Sequence, residues 1–279
     1  MKKIYILLSL ILILSTNSAA QAEPYIEIPK KVQLKVPFTS EIPNGSWVKP
    51  WNNACEEASI VMVEGYYYGY ESTTKKIAMQ SMKPLFKIQD KIFGSNVDTD
   101  TFRTAKLINN YTNFSATIKE NPTLEDVRIE LRNDRPVISM HYAKNLQNPN
   151  HHFRVGGSYY HVIVITGYDD ETQEFIVNDS GDEKTGGGYR YPYEDYMKSL
   201  HDFNFKNHRA DGPPRVLFTE SKILFKTKNN PAVYLITHKQ RHLITDPATF
   251  LLHGWKWKNI HVVDQKTLDK FFDGPMISS

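Results

Sequence analysis

The 279-residue chain holds a single cysteine, Cys55. That count excludes an internal disulfide, and it excludes a metal centre built on a cysteine cluster. An excess of one charge is missing too, with 34 Lys and Arg against 31 Asp and Glu, a formal net charge of +3. Long apolar runs are absent beyond the N-terminus, where "MKKIYILLSLILILSTNSAAQAEP" sets two lysines before an apolar run from Ile4 to about Leu14. The run is shorter than the roughly 20 residues an ordinary membrane-spanning helix needs. Charged start, short apolar middle and the Ala20-Gln21-Ala22 ending predict a signal peptide over 1–22, cut after Ala22. The alternative is an uncleaved N-terminal anchor. Removing residues 1–22 takes away two lysines and no acid, leaving 32 basic against 31 acidic residues, a charge of +1. With no basic stripe, nucleic acid is not an expected partner. The expectation is an exported protein, secreted or in the cell envelope, and monomeric. An apolar content of 40%, with 16 Tyr and 14 Phe, is enough to build a core and argues against disorder.

Exported proteins normally use cysteines in pairs. A lone one is either buried and inert or kept for chemistry. In "NNACEEASIVM" the residues Ala54, Ala58, Val61, Met62 and Gly65 recur at helical spacing, with Glu56 and Glu57 in the first turn. This predicts a helix from about Ala54 to Tyr68 with Cys55 at its N-terminus. Upstream, "LKVPFTS" (34–40) reads as an edge strand meeting Pro37, and residues 41–53 as an irregular loop. Residues 72–92 and 98–110 look helical, and "TLEDVRIELRNDR" (123–135) is an amphipathic helix capped by Thr123. β signals follow: "PVISMHY" (136–142), then "YYHVIVITGYD" (159–169) and "EFIVNDS" (174–180) as an antiparallel hairpin. "GGGYRYPYEDYMKSL" reads as a glycine loop ending in a short helix. A helical half followed by a sheet half predicts an α+β fold.

A composition break at "RADGPPR" (209–215) separates a domain over 23–215 from a small C-terminal α/β module over 216–279. In that module "AVYLI" and "RHLIT" are short strands, and "DPATFLLHG" is a helix with Asp246 as cap, Pro247 at its first position and Gly254 past its end. Trp255 and Trp257 would either stack on sugars or pack a core.

A helix N-terminus stabilises a thiolate, and its backbone N–H groups can receive an oxyanion. A nucleophilic cysteine also needs a base, and the base an orienter. His161, at the head of a β-branched strand where an apolar residue is usual, is the favoured base. His141, His151 and His152 are the alternatives, the last two in "AKNLQNPNHHFRVGGS", which reads as a solvated surface loop. Asp179, at the end of the partner strand, is the favoured orienter, either in that role or as an Asx-turn residue. Asn178 and Asp182 are less favoured, since alternation turns Asn178 to the opposite face.

The order of Cys55, the "HxxxxxGYD" strand and the "xVNDS" strand, with "LKVPFTSEIPNGSWVKPWNNACEEASIVMV" before them, resembles the papain-like cysteine peptidases. It is more closely similar to the bacteriocin-processing (double-glycine leader) peptidase-like group, cysteine-peptidase family thirty-nine, over about residues 33–200. The resemblance implies a papain-like fold with Cys55 as nucleophile, His161 as base and Asp179 as orienter, no cofactor and no metal, and a peptide or protein substrate. It also implies an oxyanion-hole Gln after the "VPxxS" segment, where this chain has Glu41. An ionised glutamate cannot donate a hydrogen bond. So either Glu41 is protonated, or Asn52 or Asn53 donates together with the Cys55 backbone N–H, or activity is weak. The Cys-Gly-Pro of such enzymes is replaced by Cys55-Glu56-Glu57, and acids beside a thiolate disfavour it. The C-terminal module resembles modules appended to exported bacterial proteins, which suggests a cell-wall or surface role. Three readings follow: a cysteine peptidase, a catalytically silent peptide-binding module, and a peptidoglycan hydrolase.

Overall fold

The computed structural model describes residues 28–278 except 96, 152 and 154. The expected signal peptide and His152 lie outside the described residues.

An antiparallel sheet organises the first two hundred residues. Its strands are β1 (Lys31–Gln33), β2 (Phe114–Glu120), β3 (Val137–Tyr142), β4 (Tyr160–Asp169), β5 (Glu174–Asn178), β6 (Gly187–Pro192) and β7 (Arg215–Ser221). The spatial order is β2-β7-β3-β4-β5-β6, and β1 pairs with the far end of β4. Strand β4 is buried along its whole length because it has sheet neighbours on both sides and a helix on one face. That explains its unbroken β-branched run. The helix is α1 (Cys55–Tyr67), which buries every residue except Glu64. A helix apolar nearly all round belongs in an interior. Ile60, Met62 and Val63 are fully buried there, each contributing about 1.5–3 kcal/mol.

Of the other helices, α2 (Lys75–Phe93) packs on α1, α3 (Thr101–Tyr111) on β2 and β7, α4 (Leu124–Arg132) on β4, β1 and β3, and α5 (Tyr193–Ser199) on β5 and β6. Local chemistry sets their starts. Thr74 caps α2, Asp100 caps α3, and Thr123 with Asp126 forms a reciprocal capping box on α4. The molecule is α+β, and the expected helices and the β4–β5 hairpin are present.

Four expectations change. The strand expected over 34–40 is absent; the chain there is irregular, and the short strand beside β4 ends at Gln33. Pro37 has no N–H to give a ladder. The stretch "GGYRYP", expected to open as a glycine loop, is β6, with Tyr191 turned into the core. Strand β2 fills a segment for which the sequence suggested no element. Finally, the break expected at 215/216 is not a domain edge. Strand β7 sits between β2 and β3 in the main sheet, and the second sheet begins only at β8 (Ile223–Thr227).

That second sheet holds β8, β9 (Tyr234–Thr237), β10 (Gln240–Leu243), β11 (Ile260–Val263) and β12 (Phe272–Asp273), with α6 (Pro247–Leu252) and α7 (Gln265–Leu268). Asp246 caps α6 by accepting from the Thr249 N–H, with Pro247 at the first position. Trp257 stacks on Phe250 at 3.9 Å between ring centres, and Trp255 stacks on His253 at 4.5 Å. No helix among the described residues is long and apolar enough to cross a membrane.

Candidate active site

Helix α1 and strand β4 bring the chemistry together. Cys55 is the first residue of α1, and His161 is the second of β4, opposite His141 on β3. The Cys55 sulfur, a His161 ring nitrogen and a Glu41 carboxylate oxygen lie within 4.8 Å of one another. All three residues line an open cleft of about 650 Å³, with Asn52, Asn53, Asp98, His151 and Phe153 on its walls.

Asp179 follows β5 and is fully buried. Its Oδ1 stands 2.7 Å from His161 Nε2. A carboxylate only accepts, so Nε2 carries the proton and Nδ1 is the nitrogen left to meet the thiol. Asp179 Oδ2 accepts from His151 Nε2 at 2.7 Å and from the Tyr191 hydroxyl at 2.5 Å. The Gly181 N–H donates to Oδ1 at 3.2 Å. Burial alone would raise the Asp179 pKa, but the His161 charge and the hydrogen bonds from both imidazoles hold it well below the usual carboxylate range. Burial lowers the His161 pKa despite Asp179, so the resting ring is neutral. Gly181 lets the loop pass close to the rings, since a Cβ there would stand 3.0 Å from His161 Cε1 and 3.4 Å from His151 Cδ2.

The thiol is not in the state expected at a helix N-terminus. Cys55 Sγ donates to Glu56 Oε2 at 3.2 Å, while Glu56 Oε1 accepts from the Thr99 N–H at 2.6 Å. Burial, then Glu56, Glu41 and Asp98, push the Cys55 pKa up rather than down. A helix end supplies only about half a charge, and burial together with the neighbouring acids outweighs it. Burial and the Asp98 charge raise Glu56 itself to about 7 against the pull of the Thr99 amide.

Glu41 is 6% exposed. Burial, then Asp179, Glu56 and Asp98, raise its pKa well above the ordinary value. Of the three alternatives for this position, a protonated Glu41 agrees with these surroundings. Asn53 Nδ2 donates to Asp98 Oδ1 at 3.2 Å, and Asn52 is exposed on the cleft wall.

The other candidates sort by geometry. His141 is buried between the Ser139 and Ser199 hydroxyls at 2.6 and 2.7 Å, away from the cleft. His151 is not on a solvated loop as expected; its side chain is 4% exposed and bonded to Asp179. Asn178 joins the Val36 carbonyl and the Gly188 N–H, on the side away from His161. Asp182 gathers Thr185 and Asn150 around a turn, and those bonds overcome burial to hold its pKa down to about 2. His151 was only an alternative base on a loop read as solvated, and Tyr191 and Asp98 were not assigned to the site from sequence. The adjacent aromatic in "HHF" and the alternating tyrosines of "YRYPY" are the only local signals for the first two.

Residues 25–207 match the model of the Peptidase_C39 like family. Among solved structures, a protein described as a C39-like peptidase from Bacillus anthracis is 15% identical with a TM-score of 0.43, over 67% of this chain and 96% of its own. Xylellain, a cysteine protease from Xylella fastidiosa, is 15% identical with a TM-score of 0.30, over 69% of this chain and 86% of its own. No match to a curated protein was found.

Proposed function

The chain belongs to the Peptidase_C39 like family, and on that premise we propose that it is a cysteine peptidase cleaving peptide bonds by acyl transfer, with Cys55 as nucleophile, His161 as base and Asp179 as orienter. The observation that carries this reading is the Cys55 sulfur within 4.8 Å of a His161 nitrogen, on an open cleft. Asp179 holds the ring through Nε2, which leaves Nδ1 for the thiol.

The resting pair is a neutral thiol and a neutral imidazole. When a carbonyl carbon approaches Sγ, Nδ1 takes the thiol proton as the C–S bond forms, and the ionised Asp179 stabilises the imidazolium. The oxyanion receives hydrogen bonds from the Glu41 carboxyl O–H and the Cys55 N–H. Burial thus keeps an acid neutral so that it can donate. Collapse of the tetrahedral intermediate breaks the C–N bond, and the imidazolium gives its proton to the leaving amine. Water, deprotonated by His161, then hydrolyses the thioester and restores the thiol. The same proposal includes export through segment 1–22 and a peptide or protein substrate.

A second reading, a peptide-binding cleft without turnover, is favoured by one observation: the thiol proton is engaged by Glu56. Reaction of the folded protein with a peptidyl chloromethyl ketone, read by mass spectrometry, separates the two. The peptidase reading expects one adduct on Cys55, formed faster as pH rises through a thiol pKa above the ordinary value, and cleavage of a peptide library that Cys55→Ala abolishes. An adduct that forms only after unfolding would leave the binding module standing.

A further inference from the structure

We propose that Cys55 Sγ, His161 Nδ1 and the Glu41 carboxylate form a binding site for a borderline-soft divalent cation, Zn²⁺ first, with the fourth coordination position open to the cleft. One thiolate, one imidazole and one carboxylate are each ordinary zinc ligands, and three protein ligands with an open position is a stable zinc arrangement. Tetrahedral ligands bonded at about 2.0–2.3 Å stand about 3.5 Å from one another. One donor atom from each of the three residues already lies within 4.8 Å of the others, so side-chain rotation is what closing the set requires.

Two further features favour the cation. A metal-bound histidine usually passes its other N–H to a carboxylate, which fixes the ring and makes it a better ligand. His161 does this with Asp179 at 2.7 Å before any metal arrives. The charges around the three donors are also of one sign. Asp179, Glu56 and Asp98 face Glu41, and Glu56, Glu41 and Asp98 face Cys55. A dication offsets that repulsion. A thiolate ligand must give up its proton, which leaves to solvent as the metal binds.

His151, His161 and Asp179 also bring three donor atoms within 4.8 Å. There, however, both Nε2 atoms are spent on N–H bonds to Asp179 at 2.7 Å. A metal on that side would have to break both, whereas on the Cys55 side it displaces the thiol proton. Occupancy would hold nucleophile and base together and so stop acyl transfer reversibly; that consequence rests on the peptidase reading, while the binding does not.

The test uses the untagged, metal-free protein, titrated with Zn²⁺ against a chromophoric chelator and separately with Co²⁺. One equivalent should bind. The Co²⁺ form should show a thiolate charge-transfer band and tetrahedral ligand-field bands, the former lost in both Cys55→Ser and Cys55→Ala. Glu41→Gln should weaken Zn²⁺ at least about tenfold, the lower bound seen for losing even an outer partner of a metal site. His151→Ala should change affinity less than Glu41→Gln does. Absence of stoichiometric binding, a Co²⁺ form without the thiolate band, or affinity lost with His151→Ala and kept with Glu41→Gln would each overturn the proposal. A protein that binds Zn²⁺ through Cys55 yet never cleaves peptide would keep the metal site and lose the peptidase reading.

Discussion

A carboxyl group can serve as an oxyanion donor only while it keeps its proton. For Glu41, burial and then the Asp179, Glu56 and Asp98 charges raise the pKa. A raised pKa means the proton is held below it and lost as pH climbs through it, so the donor fails on the alkaline side. The kcat/KM of the parent should therefore fall at high pH in a limb that Glu41→Gln lacks. Losing one such donor costs about 10²–10³-fold; the variant should exceed the parent by about that much past the Glu41 pKa and match it within a few-fold below. Coincident profiles would remove Glu41 from the oxyanion site. Position 41 and its acidic identity were legible in the sequence, and its protonation state was not. That state depends on three acids from positions 56, 98 and 179, which no local pattern joins to it. His151 was legible only as an alternative base and not as a partner of Asp179, since a polar loop gives no sign that one of its rings will turn under onto a buried carboxylate.

At the scale of elements, helix α1 carries both the site and a cost. Glu57 is fully buried, and neither its carboxyl oxygens nor the side-chain polar atoms of Gln89 on α2 make a full hydrogen bond. Burial, then the Glu56 charge, raises the Glu57 pKa well above the ordinary value, with only partial relief from Gln89. The folded protein thus keeps a proton that the unfolded chain releases from about pH 4.5 upward. Stability contributed by that proton is whole below about 4.5 and is lost as pH rises toward the folded pKa. Glu57→Gln should then stabilise the protein at pH 8 by about 1–3 kcal/mol, the usual cost of an unmet buried polar group, with little effect at pH 4.5. Urea unfolding at the two pH values reads the difference; an equal effect at both would mean the carboxyl charge is not the source. The helix itself was legible because small and apolar residues at 54, 58, 61, 62 and 65 fall at helical spacing behind two first-turn acids, and the β4–β5 hairpin because β-branched residues flank a polar turn. Strands β6 and β7 were not, because "GGYRYP" and "RVLFTES" alternate weakly and acquire their strand character from neighbours distant in sequence, whereas the "FSATIKE" of β2 does alternate apolar and polar residues, a signal left unused.

At the scale of the whole molecule, the misplaced domain boundary has a physical reason and a consequence. "RADGPPR" has the composition of a linker, but it is pinned. Asp202 is fully buried, accepts from the Thr101 and Phe203 N–H groups at 2.9 and 2.8 Å, and pairs with Arg215 at 3.1 Å. The chain then enters β7, in the middle of the first sheet. The second sheet is tied to the same core. Ile223, Phe225, Ile236, Leu268 and Phe271 belong to the apolar cluster that includes α1 and β4, and His238 stacks on Tyr66 at 4.3 Å while meeting its carbonyl at 3.2 Å. At about 2 kcal/mol each, those five apolar side chains contribute about 10 kcal/mol as an upper estimate, comparable with the about 5–15 kcal/mol that holds a whole domain folded. The two sheets should therefore unfold as one. Calorimetry of the full chain is expected to give a single transition with equal calorimetric and van't Hoff enthalpies. Removing residues 223–279 should bare the face around Tyr66 and make Cys55 react with iodoacetamide at the rate of an unfolded thiol. Two resolved transitions, or a truncated protein with the parent's midpoint and a protected Cys55, would show instead that the C-terminal sheet is an independent appendage.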